Sequence, residues 1–326
     1  MRLAVLGAGA WGSALAITLS SRHDISLWEF DAAHFAHLKS RRISRFLPEF
    51  TLPERIEIHS AISDALARAN LALVAVPTQG LRQTLRAMKS SRVPGVLACK
   101  GFEPGGQCLP NQVASQEFAQ GISYAILSGP SFAQEVARGL PAALTFASAD
   151  KEFAQAATKE LHSRNLRIYS SDDVIGVAIG GAVKNVIAIA AGIADGLGLG
   201  HNARAALITR GLAEITRLGI KMGGRPETFM GLAGAGDLIL TCTGDLSRNR
   251  QVGLMLAAGQ PLSQILVKLG HVAEGVTTAR EVCRLAGELK VEMPITLAVS
   301  RVLHENVAAK TALQELLDRD PKAESY

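Results

Sequence analysis

The chain has 326 residues, 48% of them hydrophobic and 19% charged. That length suits two domains, and the composition lies outside the range of disordered chains. Its formal charge of +5 is dispersed, and the densest cationic run, "KSRRISR" (Lys39 to Arg45), has no aromatic interleaving. Nucleic acid is therefore excluded as a partner, whereas a small anionic ligand suits the positive excess.

The chain opens on "RLAVLG", a strand pattern, so no signal peptide is expected. The strand runs into "GAGAWGSALA", which carries G-x-G-x-x-G at Gly7, Gly9 and Gly12 and opens a helix. Gly7 permits a tight turn, Gly9 lets a pyrophosphate approach the backbone, and Gly12 lets helix and strand pack closely. The second strand, "DISLWEF", delivers Glu29 at its end with Asp31 close behind. A carboxylate there accepts from adenosine ribose hydroxyls and repels a 2′-phosphate, which predicts NAD as the preferred cofactor and NADP as the second. Arg22 is the nearby cation that weighs against this preference. His34 and His37 sit at helical spacing without a third ligand, so they read as an exposed helix face and no metal is expected.

"RIEIHS", "LALVAVP", "GVLACK", "SYAILSG", "AALTFAS" and "LRIYSS" continue the strands, and "SDALARA", "GLRQTLRAM" and "DKEFAQAATKELHS" are helical patterns between them. The alternation predicts an α/β Rossmann-type domain over residues 1–172, a parallel sheet with helices on both faces. Pro77 and Lys100 each follow a strand, at the carboxyl edge where such sheets bind ligands. "LSGPSFAQE" places Gly129, Pro130 and Ser131 at a strand-to-helix turn whose backbone donors can face an anion or cofactor.

From Asp173 the alternation stops, and residues 173–326 predict an all-α substrate domain. In "NARAALITRGLAEITRLGIKM" an apolar stripe runs through Ala205, Ile208, Leu212, Ile215 and Leu218; "LSQILVKLG", "TTAREVCRLAGELK", "ITLAVSRVLHEN" and "ALQELLDR" are further helices. The run after Val174 is interrupted by Lys184 and Asn185, and neither uncharged piece reaches the ~20 residues of a membrane span, so it reads as a core helix without membrane insertion. "GGRPETFM" reads as a turn and a Pro-initiated helix. No strand precedes "GLAGAGD", so its glycines serve close packing that aims Asp237. Ser247, Arg248 and Asn249 open the helix "RNRQVGLMLAAG" and read as a phosphate site, with Ser247 capping and Arg248 supplying a fork of donors. The closing "DPKAESY" reads as a frayed tail. Four cysteines (Cys99, Cys108, Cys242, Cys283) without a C-x-x-C pair read as reduced, mostly buried residues of a cytoplasmic protein.

Together "GAGAWGSALA", "FLPEFTLP", "VAVPTQGLR", "CKGFE", "SGPSFAQEVA", "GGAVKNVIAIAAGIADGLGLGHNARAALITRGLAE", "FMGLAGAGDLILTCTGDLSRNR", "VAEGVTTARE" and "MPIT" resemble the bacterial-type NAD(P)-dependent glycerol-3-phosphate dehydrogenases over nearly the whole chain. The resemblance implies reversible hydride transfer between NAD(P)H and dihydroxyacetone phosphate, giving sn-glycerol 3-phosphate for glycerophospholipid synthesis. It implies Lys184 as catalytic acid/base, with Lys100, Asn185 and Asp237 beside the reacting carbonyl. Gly129, Ser131 and Thr241 join the substrate site, and Ser247, Arg248 and Asn249 hold the phosphate. Trp11, Ala133, Val272 and Glu274 match cofactor-contacting positions, and Arg248 also touches the cofactor; Ala10 in the glycine-rich turn and Pro77 and Lys100 at the sheet edge are cofactor candidates by position. Many members carry a base after the second strand where this chain has Phe30, which supports NAD.

Lys184 sits among Val183, Val186, Ile187 and small residues, so desolvation and the second cation Lys100 should lower its pKa while Asp237 opposes. The alternative enzyme reading is a related two-domain β-hydroxyacid dehydrogenase, against which Asp237 and the Ser247–Asn249 block weigh. A non-catalytic NAD-binding protein would need the glycine fingerprint alone. The apolar faces of several helices suggest a homodimer.

Overall fold

Eight strands form one sheet: β1 (Arg2–Leu6), β2 (Asp24–Trp28), β3 (Glu57–His59), β4 (Leu71–Val74), β5 (Gly95–Leu97), β6 (Tyr124–Ser128), β7 (Ala142–Ala147) and β8 (Leu166–Ser171), in the order 3-2-1-4-5-6-7-8. The structure is a computed structural model and describes residues 1–270 and 273–320; the closing residues 321–326 lie outside the described set. The central strands β1 and β4 to β6 are apolar runs because both faces of the sheet are covered there, whereas the edge strand β8 alternates buried and exposed residues from Leu166 to Tyr169. Leu3 and Val5 point into one core layer, Ala4 and Leu6 into the other, and all four are fully buried. The covering helices are α1 (Ala10–Leu19), α2 (Ala32–Arg41), α3 (Ile62–Leu66), α4 (Thr78–Met88), α5 (Pro110–Glu117), α6 (Ala133–Ala137) and α7 (Lys151–Leu161).

The sheet is a Rossmann-type sheet with one departure from the parallel expectation. β1 to β6 pair in parallel, but β7 runs antiparallel to β6, and β8 is parallel to β7. A parallel return needs a crossover of a dozen or more residues, usually a helix packed on the sheet. The connection 129–141 holds only the five-residue α6, which packs on α1, so the chain comes straight back.

The second domain consists of α8 (Val174–Gly196), α9 (Gly200–Lys221), α10 (Pro226–Phe229), α11 (Asp237–Thr243), α12 (Arg248–Ala257), α13 (Leu262–Leu269), α14 (Glu274–Leu289), α15 (Pro294–His304) and α16 (Ala309–Leu317). α8 is long and apolar enough to cross a membrane by length, yet it is buried within the protein against α9, α11, α12 and α14. Asp173 caps it, accepting from the Gly176 amide at 2.8 Å. The core layer containing Leu6, Val74 and Leu97 continues without a break into Val177, Val183 and Ile187 of α8. The cleft between sheet edge and helices is therefore built on one shared core.

Two close approaches set the helices around α8. A Cβ added at Gly253 would lie 2.1 Å from the Ile189 carbonyl oxygen, so the α12 and α8 backbones touch. A Cβ at Gly180 would lie 2.5 Å from the Ala233 oxygen, on the π-helical turn Leu232–Gly236 that leads into α11. The cysteines are all free; Cys99 and Cys242 are buried, while Cys108 and Cys283 are only half-buried, short of the burial expected for most of them.

Candidate active site

The glycine-rich turn has the shape a dinucleotide needs. Gly7 adopts φ +107°, and a Cβ at Gly12 would fall 1.9 Å from the Gly7 carbonyl, so the turn closes tightly onto α1. At Gly9 no heavy atom lies within 4 Å of an added Cβ, which leaves the backbone open on the side where α1 begins at Ala10 and Trp11. Bare backbone at a helix N-terminus fits a pyrophosphate. Pro77 stands exposed ahead of α4 at the carboxyl edge, and Ala133 begins α6, which packs on α1. Phe30 is 74% exposed, with its ring edge-on to Trp28 at 6.3 Å.

Glu29 departs from the open carboxylate expected. It is buried; Oε2 accepts from the Ala8 amide at 3.2 Å, and Oε1 from the Asp31 amide at 2.8 Å. His34 is also buried, not on an exposed face, with Nδ1 3.2 Å from Glu29 Oε2. Burial pushes the Glu29 carboxyl up, but His34 and these amides together hold it below its usual value. The exposed acid at this turn is Asp31. Arg22 lies ahead of β2, at the other edge of the sheet, bonded to the His162 carbonyl, and does not reach the turn.

At the carboxyl edge of β5 and β6 the two domains bring three charges together. Asp237, at the start of α11, accepts from Lys184 Nζ through Oδ1 and from Lys100 Nζ through Oδ2 at 2.6 Å. Lys184 also donates to Thr241 Oγ1 at 2.8 Å, and Lys100 to the Gly129 carbonyl at 3.1 Å. Ser131 donates to the same carbonyl at 2.9 Å. Asp237 is 1% exposed, and Lys184 is buried as well. Desolvation brings the Lys184 ammonium down to about 8, opposed by Asp237 and assisted by Lys100. Burial raises the Asp237 carboxyl, but the two ammonium groups outweigh it and hold it below its usual value.

The π-turn puts Asp237 in this position, with its backbone pressed against Gly180 one turn before Lys184. π-turns of this kind recur at functional sites.

Ser247 caps α12, accepting from the Arg250 amide at 3.2 Å. Arg248 is exposed in the cleft, and no protein acceptor takes its N–H groups among the described residues. Asn249 is placed differently from a simple phosphate ligand. Its Nδ2 donates to Asn185 Oδ1 at 3.0 Å, and its Oδ1 accepts from the Gly275 amide at 3.1 Å. It thus ties α8, α12 and α14 together, and leaves Asn185 only a long 3.5 Å contact to Gly181 O for its own amide.

Glu274 opens α14 and reaches the sheet domain: its carboxylate accepts from the Thr78 amide at 3.2 Å and the Thr78 hydroxyl at 2.8 Å. Burial pushes this carboxyl above its usual value despite those bonds. Val272 lies outside the described residues. Thr78 was not among the sequence candidates; its position directly after Pro77, at the sheet's carboxyl edge, is the one signal that marks it. His34, Ser44 and Arg45 were also missed as a group.

The family model described as the NAD-dependent glycerol-3-phosphate dehydrogenase N-terminus matches residues 2–154, and that of the C-terminus matches residues 173–314. Proteins of Nitrosospira multiformis and Nitrosomonas eutropha named NAD(P)+ glycerol-3-phosphate dehydrogenases are each 57% identical to the chain, with the whole of both chains covered. A crystal structure of glycerol-3-phosphate dehydrogenase from Coxiella burnetii superposes with TM-score 0.94 at 40% identity, covering 98% of this chain and 99% of its own.

Proposed function

The chain belongs to the NAD-dependent glycerol-3-phosphate dehydrogenase family, and from that premise we propose how its cleft works. It is an NAD(P)-dependent oxidoreductase that acts on sn-glycerol 3-phosphate, with dihydroxyacetone phosphate as the ketone partner. The observation that carries the site assignment is the Lys184–Asp237–Lys100 contact at the same carboxyl edge of the sheet as the open glycine-rich turn.

A nicotinamide held at the glycine-rich turn would supply the hydride for the carbonyl carbon. As that carbon is reduced, charge develops on the ketone oxygen; Lys184 stabilises it and donates its proton there, closing the hydroxyl. The lysine is left neutral and regains a proton from solvent; oxidation of the alcohol runs the same step backwards. Asp237 and Thr241 fix the amino group, and Lys100 keeps its affinity for protons modest. Ser131, the Gly129 turn and Asn185 border the reacting end. Ser247, Arg248 and the first amides of α12 hold the phosphate, with Asn249 keeping that helix in register with α8. Gly7, Gly9, Ala10, Trp11, Gly12, Phe30, Pro77, Ala133 and Glu274 border the dinucleotide. NAD is the preferred form, because Asp31 presents an exposed carboxylate where a 2′-phosphate would arrive.

The deciding assay follows nicotinamide absorbance, with NADH and NADPH side by side for dihydroxyacetone phosphate and with NAD+ and NADP+ side by side for a panel of 3-hydroxy acids. Turnover confined to 3-hydroxy acids would install the alternative reading instead. Arg248→Ala is expected to raise the KM for dihydroxyacetone phosphate at least tenfold, because a charge-assisted contact to phosphate is worth about 1.5–3 kcal/mol. Equal use of phosphate-free dihydroxyacetone by the parent enzyme would remove the phosphate site.

The Lys184 value of about 8 sets a second expectation, opposite in the two directions. Reduction needs the ammonium, so its kcat/KM falls as pH rises through about 8; oxidation needs the free amine, so its kcat/KM rises over the same interval. Parallel profiles would mean that another group carries the proton. The enzyme works in the cytoplasm as a homodimer and supplies glycerophospholipid synthesis; sedimentation and fractionation test the first two points.

A further inference from the structure

The cation missing after β2 is supplied by Arg45, 14 positions beyond Asp31. Ser44, buried, donates to the Ala8 carbonyl of the glycine-rich turn at 2.7 Å. The Arg45 amide donates to His34 Nε2 at 3.3 Å, and the Phe46 ring stands edge-on to the His34 ring at 4.9 Å. His34 in turn faces Glu29, whose carboxylate holds the Ala8 and Asp31 amides. These contacts pin the segment against the turn where the adenosine ribose of a dinucleotide lies. They also bring the Arg45 guanidinium to Asp31 Oδ1 at 2.8 Å, with 47% of the arginine side chain and 58% of the aspartate side chain still exposed.

In dinucleotide folds an acid at the end of the second strand selects the free ribose, and an arginine nearby accepts a 2′-phosphate. Here both features are present and paired with each other. We infer that Arg45 is the residue through which this enzyme admits NADP(H), and that Asp31 sets the limit by competing with the 2′-phosphate for its guanidinium. The inference rests on the coenzyme reading above and adds the residue that decides between the two forms. An exposed Arg–Asp pair holds itself together weakly, so a dianionic phosphate can displace the aspartate.

The test is binding of adenosine 2′,5′-bisphosphate and of ADP by calorimetry, alongside the ratio of kcat/KM with NADPH to that with NADH. For Arg45→Ala the bisphosphate is expected to lose about tenfold in affinity relative to ADP, and the NADPH-to-NADH ratio to fall by a similar factor. Arg45→Lys should recover part of both. Asp31→Asn keeps a helix-capping side chain and is expected to move both ratios the other way. Unchanged ratios in Arg45→Ala, or equal weakening of the bisphosphate and ADP, would overturn the assignment. Failure to reduce dihydroxyacetone phosphate with either coenzyme would sink the proposed function, while the binding ratios would still decide the role of Arg45.

Discussion

Lys184→Met lowers turnover of dihydroxyacetone phosphate by about 10²–10⁴-fold, the span of a lost general acid that also stabilised developing charge. Methionine keeps the unbranched apolar stem, so it fills the same space between Val183, Ile187 and α11 without the proton. The dinucleotide site is built by other elements, the glycine-rich turn and the ends of β2 and β4, so NADH affinity stays within a small factor of the parent. Most of the loss falls on kcat, because the proton is needed only once the hydride has begun to move. The opposing profiles of reduction and oxidation disappear with the amino group. Turnover within a few-fold of the parent, or a loss confined to KM, would remove Lys184 from the chemistry and leave it a buried structural cation.

Much of this site is legible along the chain because its parts are local. The glycine spacing around Gly9, Lys100 at the end of one apolar run, Lys184 within another and the cap at Ser247 each need only a few neighbours to be recognised. The strands are legible for the same reason: β8, Leu166–Ser171, coincides with the alternating pattern "LRIYSS". What escapes is what depends on partners far away in sequence. The direction of β7 is set by how the connection 129–141 packs, and an apolar strand pattern reads alike in both senses. His34 looks like a solvated face until β2 and the segment carrying Ser44 close over it. The Thr78–Glu274 contact spans 196 positions. Asn249 is identified by its place in "SRNR", but that its amide bridges Asn185 and Gly275 depends on the backbone contact at Gly253.

Asp237→Asn has the second large effect, on stability and on the pH profile together. The aspartate, its side chain 1% exposed, is the shared acceptor of two ammonium groups. Removing one partner of a buried ion pair costs about 3–5 kcal/mol, because the remaining charge is left uncompensated. Asparagine retains an oxygen to accept from one lysine, which places the expected loss near the lower end of that range in denaturant unfolding at pH 7. Lys184 is the more buried of the two, so its folded-state pKa falls below about 8 in the variant. In the unfolded chain it keeps the ordinary lysine value, so linkage fixes the sign. The part of the deficit that belongs to Lys184 is fully present at pH values below the variant's lowered pKa. It shrinks as pH rises from there to about 8, above which the parent's lysine is neutral too. In the same variant the alkaline fall of the reduction rate moves to lower pH, a displacement that a purely architectural aspartate would not cause. A deficit constant from pH 6 to 9, with the rate profile unmoved, would separate Asp237 from the proton affinity of Lys184 and with it undo the account of how a buried lysine works near neutrality.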